Sequence, residues 1–317
     1  LMAVTTPLKP STPQPPAPKR RRRGLSSSAA RTGWIYLTPT LVVVGLITLF
    51  PIAFSVVMSF SKVELGYSGF ELTGFSADNY IALFSSPRWA HAALFTVFYT
   101  VVTVVIELVL GTLVALVLER LANWRGWMMA LLLIPWAMIT VISAQLWSYM
   151  YNASYGAISW FLGLFGADPV ILGEPASAIT AMMVADIWKT TPFVAIIVLA
   201  GLVVIPNDLY EAAELDGANA WQTFWRVTLP QLTGTLAIAV LFRVLQAFGV
   251  FDLPFVLTGG GPGTSTESLA LLGWKVMFQS LNLGAGAAIA VTTGALVLFA
   301  CLLSLKAFRS QVSEEKP

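Results

Sequence analysis

Charged side chains are scarce in this 317-residue sequence, in which Asp, Glu, Lys and Arg together make up 11% of the residues. Soluble globular domains carry about 25% charged residues. Hydrophobic residues make up 57% of the chain, and its mean hydropathy is +0.77. This balance excludes an ordinary soluble domain and predicts an integral membrane protein.

Side chains that bind metals or act as nucleophiles are equally rare. The single cysteine, Cys301, lies in an apolar run, which excludes a disulfide framework and a cysteine zinc site. The single histidine, His91, begins a hydrophobic segment and has no second histidine with which to form a metal-binding HExxH motif. We therefore expect no catalytic residues and no metal site, and we predict that the chain is not an enzyme.

A Gly-x4-Gly-Lys-Ser/Thr phosphate-binding loop is also absent from the sequence. The glycine-rich segment at residues 258–264 is followed by no lysine that would complete such a loop, so we interpret it as a turn. We expect no cofactor in this chain, and any ATP chemistry must come from a partner.

Six apolar stretches reach the length of about 20 residues that a helix needs to cross a bilayer. They occupy residues 34–60, 92–118, 127–149, 178–205, 231–251 and 284–307. Prolines such as Pro135 and Pro192 interrupt several of them, which membrane helices tolerate where neighbouring groups satisfy the freed carbonyl. The predicted fold is an all-α integral membrane protein with six transmembrane helices, plus a short helix near residues 158–164.

The distribution of basic residues predicts the orientation. With the N-terminus inside, thirteen Lys and Arg fall in cytoplasmic segments, three in external loops and two within spans. Basic residues favour the cytoplasmic side, so both termini and residues 206–230 are predicted to be cytoplasmic.

The N-terminal residues 1–30 are rich in proline and contain a basic run, and are predicted to be a disordered cytoplasmic tail. Because the basic run precedes a membrane span, it indicates topology, and no nucleic-acid partner is expected. The predicted organisation continues with a first transmembrane helix and external loop at 31–90, a five-helix core at 91–310 and a cytoplasmic tail at 311–317.

Four ionisable residues lie within the predicted spans: Glu107, Asp186, Lys189 and Arg243. Each costs about 2.5–3.5 kcal/mol at the centre of a helix, so each should face the bundle interior or a cavity. Asp186 and Lys189 are three residues apart on one helical face, which leaves open whether they pair with each other or contact a substrate. Glu107 is interpreted as structural and bonded to a neighbouring span, and Arg243 with Gln246 as the lining of a polar pathway.

Aromatic and hydroxyl side chains occur together near two of the prolines. Trp136 follows a proline, with Thr140 one turn further on the same predicted helical face, and Thr190 and Phe193 flank Pro192. Sugar sites combine an aromatic face with hydrogen-bonding groups. These side chains are candidates either for sugar contact or for helix packing.

Residues 206–230 form a short amphipathic segment between two apolar runs. Apolar residues at helical spacing on both sides of Gly217 predict two short helices separated by that glycine. Such a segment suits either docking to another protein or an ordinary interfacial loop.

The same segment carries a recognisable motif. Glu211-Ala212-Ala213, Gly217 and Val227-Thr228-Leu229-Pro230 have the residues and spacing of the signature loop of ABC importer permeases, with Val in place of the usual Ile. The chain resembles this family, which implies that the loop is a coupling helix seated in a cleft of a cytoplasmic ATPase subunit. Glu211 would make the contact and Gly217 would allow the bend. The implied coupling residues are Glu211, Ala212, Ala213, Asp216, Gly217 and Ala218.

Three more segments, at residues 132–137, 188–193 and 257–262, resemble carbohydrate-importer permeases of the maltose type, in particular the first of their two permeases. The resemblance implies the type I permease fold and a sugar site. The implied substrate-binding residues are Trp136, Thr140, Asp186, Lys189, Thr190, Phe193, Arg243 and Ala247, to which the pathway interpretation adds Gln246. Asp186, Arg243 and Ala247 stand where the family example has Asn, Ser and Asn, which changes the hydrogen-bonding pattern.

The resemblance further implies ATP-driven alternating access in a bacterial plasma (inner) membrane. The partners would be the lipid bilayer, a second permease subunit, two ATPase subunits that bind ATP and Mg, and an extracytoplasmic sugar-binding protein. The external loops that would contact that protein are residues 61–90, 152–177 and 252–283.

Residues 188–193 also resemble actinobacterial trehalose importers, so the expected cargo is a disaccharide such as trehalose or maltose. Glycerol phosphate or an oligosaccharide is the alternative, because Lys189 and Arg243 suit a phosphate. A third interpretation is a secondary transporter that couples uptake to ions through Glu107 and Asp186.

Overall fold

The computed structural model describes residues 27–66, 69–121, 124–166, 168 and 170–313, and most of them are helical. Its elements in chain order are α1 (Ser27–Ser59), β1 (Ser61–Gly66), β2 (Gly69–Phe75), α2 (Asp78–Phe84), α3 (Pro87–Arg120), α4 (Arg125–Ala137), α5 (Thr140–Met150), α6 (Ala157–Gly163), α7 (Pro175–Leu202), α8 (Asn207–Leu215), α9 (Ala220–Thr223), a π-helical turn (Phe224–Thr228), α10 (Leu229–Phe248), α11 (Asp252–Leu257), α12 (Leu269–Trp274), a second π-helical turn (Lys275–Gln279) and α13 (Leu283–Ser313). The short helix expected near 158–164 is present as α6.

The ends of the chain differ slightly from the predicted domain boundaries. Helix α1 begins at Ser27, within the segment predicted to be a tail, and residues 1–26 lie outside the described residues. Helix α13 ends at Ser313, within the predicted C-terminal tail, and residues 314–317 also lie outside them. The chain divides into two compact units between Ile52 and Ala53. The described part of the first unit is a single apolar helix.

Within the described residues, five helices are long and apolar enough to cross a membrane: α1, α3, α7, α13 and a continuous helix from Ala220 to Phe248. The predicted span at 127–149 is instead a pair of helices, α4 and α5, bent by 87°. Met138 and Ile139 have extended backbone at this break, with ψ of 140° and 131°. The number of spans is six, as predicted, if the bent pair counts as one.

A β-hairpin follows α1, and the sequence had not indicated it. Strands β1 and β2 are antiparallel, with Val63 opposite Leu72. The amide nitrogen of Asn79 in α2 donates hydrogen bonds of 3.0 Å to the carbonyl oxygens of both Ser59 and Ser61. Because those carbonyls flank the start of β1, Asn79 fixes α2 against the base of the hairpin. This hairpin is the one exception to the predicted all-α fold within the described residues.

The core of the second unit is built on the packing of α3 against α7. At Gly111 of α3, an added Cβ would lie 2.6 Å from Cγ1 of Val194 in α7, so the close approach of the two helices requires glycine. Ala115, Val198 and Leu232 are buried beside this contact and bring α10 into the same cluster. Large-to-small fitting of this kind is typical of helix packing in membranes.

A second cluster fills the space beside α5 and α11. Phe95 and Tyr99 of α3 pack with Trp147 of α5, Met182 of α7 and Leu253 of α11. This packing brings α5 and α11 against the middle of α7. The bend between α4 and α5, the centre of α7 and the end of α10 therefore surround a common space.

Candidate functional site

A cavity of about 340 Å³ lies in that space. Its lining residues are Trp136, Thr140, Asp186, Lys189, Thr190, Arg243, Gln246, Ala247, Gly249, Val250, Phe251, Asp252 and Leu253. The cavity thus brings together eight of the nine residues predicted to bind substrate, and the ninth, Phe193, contacts one of them. Its volume lies at the small end of the range for ligand pockets, about 300–1,000 Å³.

Two aromatic side chains line the cavity, Phe251 and Trp136, and Trp136 is 39% exposed. The ring of Phe193 stacks on it with centroids 5.4 Å apart and planes 10° apart, and Phe242 meets Phe193 edge-on. Phe193 therefore supports the indole and leaves its other face accessible. The prediction that Trp136 and Thr140 share one helical face is wrong, because the helix breaks between them. Both line the cavity because α4 and α5 meet there at a sharp angle.

Beneath the cavity, Glu107 of α3 and Arg243 of α10 form a buried bidentate ion pair. Both Nε and Nη2 of Arg243 donate to the Glu107 carboxylate. The Thr190 hydroxyl donates a third hydrogen bond to the same carboxylate. Arg243 also reaches Asp186 through Nη2 at 3.3 Å and Gln246 through Nη1 at 3.0 Å. The prediction that Glu107 bonds to a neighbouring span is confirmed.

The sequence left open whether Asp186 pairs with Lys189, and this local pair is not formed. Asp186 pairs instead with Arg243, and no ion pair reaches Lys189 in the part of the chain that the structure describes. A pair three residues apart on a helix contributes about 0.2–0.5 kcal/mol. The guanidinium of Arg243 offers several charged donors in a low-dielectric interior, where such hydrogen bonds are stronger. Asp186 therefore pairs with Arg243 in preference to Lys189. Lys189 is therefore half-buried at the cavity, and its ammonium group is available to bind a ligand.

One acidic residue that lines the cavity was not predicted from the sequence. Asp252 begins α11 and lines the cavity, although it follows the fifth apolar run and was counted with an external loop. Its acidic side chain directly after an apolar run was the only signal. The short turn after α10 returns the chain towards the bundle, and this is why Asp252 lines the cavity.

A larger groove of about 590 Å³ lies between α5, α6 and α7. Its walls are mainly apolar, and include Trp147, Ile158, Leu162, Ile171 and Val184. A polyhydroxylated ligand needs several hydrogen-bonding partners around it. The smaller cavity, with its four charged side chains, two hydroxyls and an amide, meets that need better.

The predicted coupling loop projects from the bundle as helix α8, none of whose residues is buried. Leu215 is 90% exposed, an unusual position for leucine unless another molecule covers it. The helix is fastened to the bundle near Tyr210, whose hydroxyl accepts a hydrogen bond of 3.3 Å from Thr228. The coupling residues Glu211, Ala212, Ala213, Asp216, Gly217 and Ala218 all lie on this helix or in the turn that ends it.

Gly217 ends α8 in the manner predicted. Its φ is +75°, and its N–H donates to the carbonyl of Glu214 while the N–H of Ala218 donates to that of Ala213. These two hydrogen bonds form a Schellman motif, which requires the left-handed conformation that glycine adopts at low cost. An added Cβ at Gly217 would meet no other atom within 4 Å, so its role is conformational.

The second half of this loop differs from the prediction of a second separate helix. Asn219 caps α9 in a reciprocal pair of hydrogen bonds with Gln222, and the helix then continues through the π-helical turn into α10. Pro230 directly follows the π-helical turn inside this continuous helix, where its missing N–H leaves a carbonyl one turn earlier without its usual intrahelical donor. The predicted short helix is therefore the beginning of the fifth span.

A second buried carboxylate, Glu267, was also missed. It lies in the segment between α11 and α12, and Arg88 of α3 donates to both of its oxygens at 2.6 and 2.7 Å. Lys275 donates to Glu267 Oε1 and to the carbonyl of Gly259, both at 2.8 Å. Burial raises the pKa of the Glu267 carboxyl, but these hydrogen bonds outweigh burial and hold its pKa below the ordinary value. The cluster fastens the glycine-rich segment to α3.

The sequence matches proteins of known type along most of its length. Residues 72–311 match the family described as binding-protein-dependent transport system inner membrane component. The chain is 39% identical to the trehalose/maltose transport system permease protein MalF of Thermococcus litoralis, over 88% of this chain and 94% of that one. It is 36% identical to the sulfoquinovosyl glycerol transport system permease protein SmoG of Agrobacterium fabrum, over 87% and 90%.

Among solved structures, a bacterial alginate ABC transporter in complex with an alginate pentasaccharide-bound periplasmic protein matches with a TM-score of 0.74. The alignment covers 87% of this chain and 94% of that one at 23% identity, and therefore shows a shared fold alone. The family match spans more than two thirds of the sequence, and the fold agrees with it. The chain belongs to the family of binding-protein-dependent transport system inner membrane components, as a multi-pass permease of the type I fold.

Proposed function

We propose that this protein is the sugar-translocating permease subunit of an ATP-driven importer. The observation that carries the proposal is the cavity, which combines an aromatic platform at Trp136 with hydroxyl, amide and charged side chains from four helices. An aromatic face binds the C–H side of a sugar ring, and the polar groups bind its hydroxyls. The relative from Thermococcus litoralis is a trehalose/maltose permease, which supports a disaccharide as the cargo.

In the proposed mechanism the cavity opens alternately to the two sides of the membrane. A sugar-binding protein delivers the disaccharide to the external side, as the periplasmic protein in the alginate transporter complex suggests. A second permease completes the pathway, and two ATPase subunits bind ATP and Mg. This chain supplies no catalytic residue and holds no cofactor of its own.

Helix α8 is proposed to transmit the movement of an ATPase subunit to the spans. Its lack of buried residues, the exposed Leu215 and its acidic residues support docking into a cleft on that subunit. Glu211 would contact the cleft, and the turn at Gly217 would set the angle between α8 and the fifth span.

The cavity is tested by Trp136→Ala in the assembled transporter, reconstituted with its binding protein. Loss of the aromatic platform should lower disaccharide uptake about tenfold, a change equivalent to about 1.4 kcal/mol. The matched control is Trp127→Ala, on the same helix α4 but 74% exposed and outside the cavity. Equal uptake by both variants would show that the cavity does not hold the sugar.

The coupling role is tested by Glu211→Lys. In the intact complex we expect loss of substrate-stimulated ATP hydrolysis and of uptake, with the complex still able to bind sugar. The control Glu119→Lys makes the same change at a partly exposed carboxylate near the end of α3, outside the coupling loop and the predicted external loops, and should leave the stimulation unchanged. Normal stimulation in the Glu211 variant would contradict the assignment.

The energy source distinguishes the proposed ATP-driven importer from the alternative, an ion-coupled secondary transporter. A relay of protons through Glu107 would have to break its hydrogen bonds with Arg243 and Thr190. In the proposed importer, uptake stops when ATP is depleted even if a proton gradient is maintained. Persistence of uptake under those conditions would support the secondary transporter.

A further inference from the structure

We propose that Glu107 determines the charge specificity of the cavity: by neutralising Arg243 it makes the site select uncharged glycosides and reject glycosides that bear a phosphate, sulfonate or carboxylate. Glu107 does not line the cavity and is a positioning residue that acts through Arg243. The inference rests on the proposed function and specifies the substrate class of that same site.

The first step is the state of Arg243. A guanidinium has five N–H donors. Two reach Glu107, one reaches Asp186 and one reaches Gln246, and the side chain is only 2% exposed. One donor remains, and burial leaves it little access to the cavity. Arg243 is therefore a structural cation whose charge is already compensated, although its position suggested a phosphate ligand.

The second step is the state of Glu107. Its two oxygens accept hydrogen bonds from Nε and Nη2 of Arg243 and from the Thr190 hydroxyl. Two N–H groups of a permanently charged guanidinium, directed at one carboxyl group, stabilise its ionised form. Glu107 is fully buried, so its charge is not screened by solvent. It cancels the charge of Arg243 at the floor of the cavity.

The third step is the charge of the whole wall. Glu107, Asp186 and Asp252 are acidic, whereas Lys189 and Arg243 are basic, so the cavity and its floor carry one more negative charge than positive. Lys189 and Asp252 are both half-buried at the cavity surface. An anionic ligand would lose its hydration on entry and meet a site of the same sign. A neutral ligand finds both donors and acceptors for its hydroxyls.

Replacing Glu107 by Gln removes the compensating charge and keeps the shape of the side chain. The wall then carries equal numbers of positive and negative groups, and Arg243 retains only Asp186 as an anionic neighbour. Affinity for an anionic glycoside should rise about tenfold relative to its neutral counterpart. Asp186→Asn makes the same change at a side chain that is 14% exposed, and should shift the ratio in the same direction.

The experiment measures binding to the intact importer in nanodiscs without its binding protein, by saturation-transfer NMR. The probes are two pairs that differ by one phosphate: trehalose with trehalose 6-phosphate, and maltose with maltose 1-phosphate. The wild type should prefer the neutral member of a pair by at least about tenfold. The control Glu119→Gln removes the same charge from the same helix, 12 residues from Glu107 and outside the cavity lining, and should keep the wild-type ratio.

The outcomes separate the two proposals. If the wild type binds no sugar of either pair, the proposed function fails. If the wild type binds a neutral sugar but the Glu107 and Asp186 variants keep the wild-type ratio, the inference fails while the function stands. If Glu107→Gln does not assemble, Asp186→Asn decides, and an unchanged ratio in that variant overturns the inference.

Discussion

Two fully buried glutamates, Glu107 and Glu267, each accept a bidentate pair of hydrogen bonds from an arginine, yet their surroundings differ. Arg243, the partner of Glu107, is 2% exposed, whereas Arg88, the partner of Glu267, is 47% exposed. Lys275 adds a second partly exposed cation to Glu267. The first pair is closed on all sides by helices, and the second faces solvent through its cations. The same side-chain chemistry therefore fixes the charge of a cavity in one place and fastens a loop in the other.

The largest difference between the two pairs should appear when a cation is removed. Arg243→Met leaves Glu107 buried without a partner, and loss of one member of a buried pair costs about 3–5 kcal/mol. We expect a large decrease in the thermal unfolding temperature of the assembled complex. Lys189→Met is the control, because this cation lines the same cavity without an ion pair among the described residues. Similar stability of the two variants would show that the Glu107 pair contributes little.

Substitution at the Glu267 pair should destabilise the protein less than substitution at the Glu107 pair. After Glu267→Gln, the cations of Arg88 and Lys275 gain access to water, so the loss should lie near the lower end of the about 1.5–3 kcal/mol typical of hydrogen bonds to charged groups. Thermal unfolding and the rate of proteolysis between α11 and α12 measure it. Glu174→Gln, at an exposed carboxylate, should change neither. A loss of stability as large as that of Arg243→Met would show that the solvent-facing pair and the enclosed pair contribute equally.

The smallest effect is the pH dependence of the Glu267 cluster. The pKa of Glu267 is lowered in the folded protein, so its stabilisation is complete above the ordinary value of about 4.5. It is lost as the pH falls below that value and through the lower pKa of the folded state. The difference in unfolding temperature between the wild type and Glu267→Gln should therefore be constant from pH 7 to pH 5 and shrink at lower pH. A difference that grows on acidification would contradict the assignment.

The two pairs also illustrate which features of the structure could be predicted from the sequence and which could not. The apolar runs and the loop around Gly217 were predictable because length and local spacing determine them. The partner of Glu107 is 136 residues away, and the partner of Glu267 is 179 residues away. No local pattern relates residues so far apart, so the sequence indicated that Glu107 needs a partner without indicating which.

Local spacing could not decide where a residue from a distant part of the chain competes. Three-residue spacing allowed a pair between Asp186 and Lys189, but Arg243 of another helix pairs with Asp186 instead. The bend between α4 and α5 is a similar case. A proline marked the region, but the extended residues are Met138 and Ile139, three residues further on, where packing of α5 against α11 and α7 directs the chain.

The continuous helix from Ala220 to Phe248 connects the coupling loop directly to the cavity. Arg243 lies 23 residues from Ala220, so roughly 35 Å of helix separates the turn after α8 from the floor of the cavity. If the helix pivots near Ala220, a tilt of about 5° displaces the guanidinium by about 3 Å, which is more than a hydrogen bond tolerates. A small rotation at the surface of the bundle would then decide which oxygen atoms Arg243 can reach, and with them the shape that the cavity offers to its cargo.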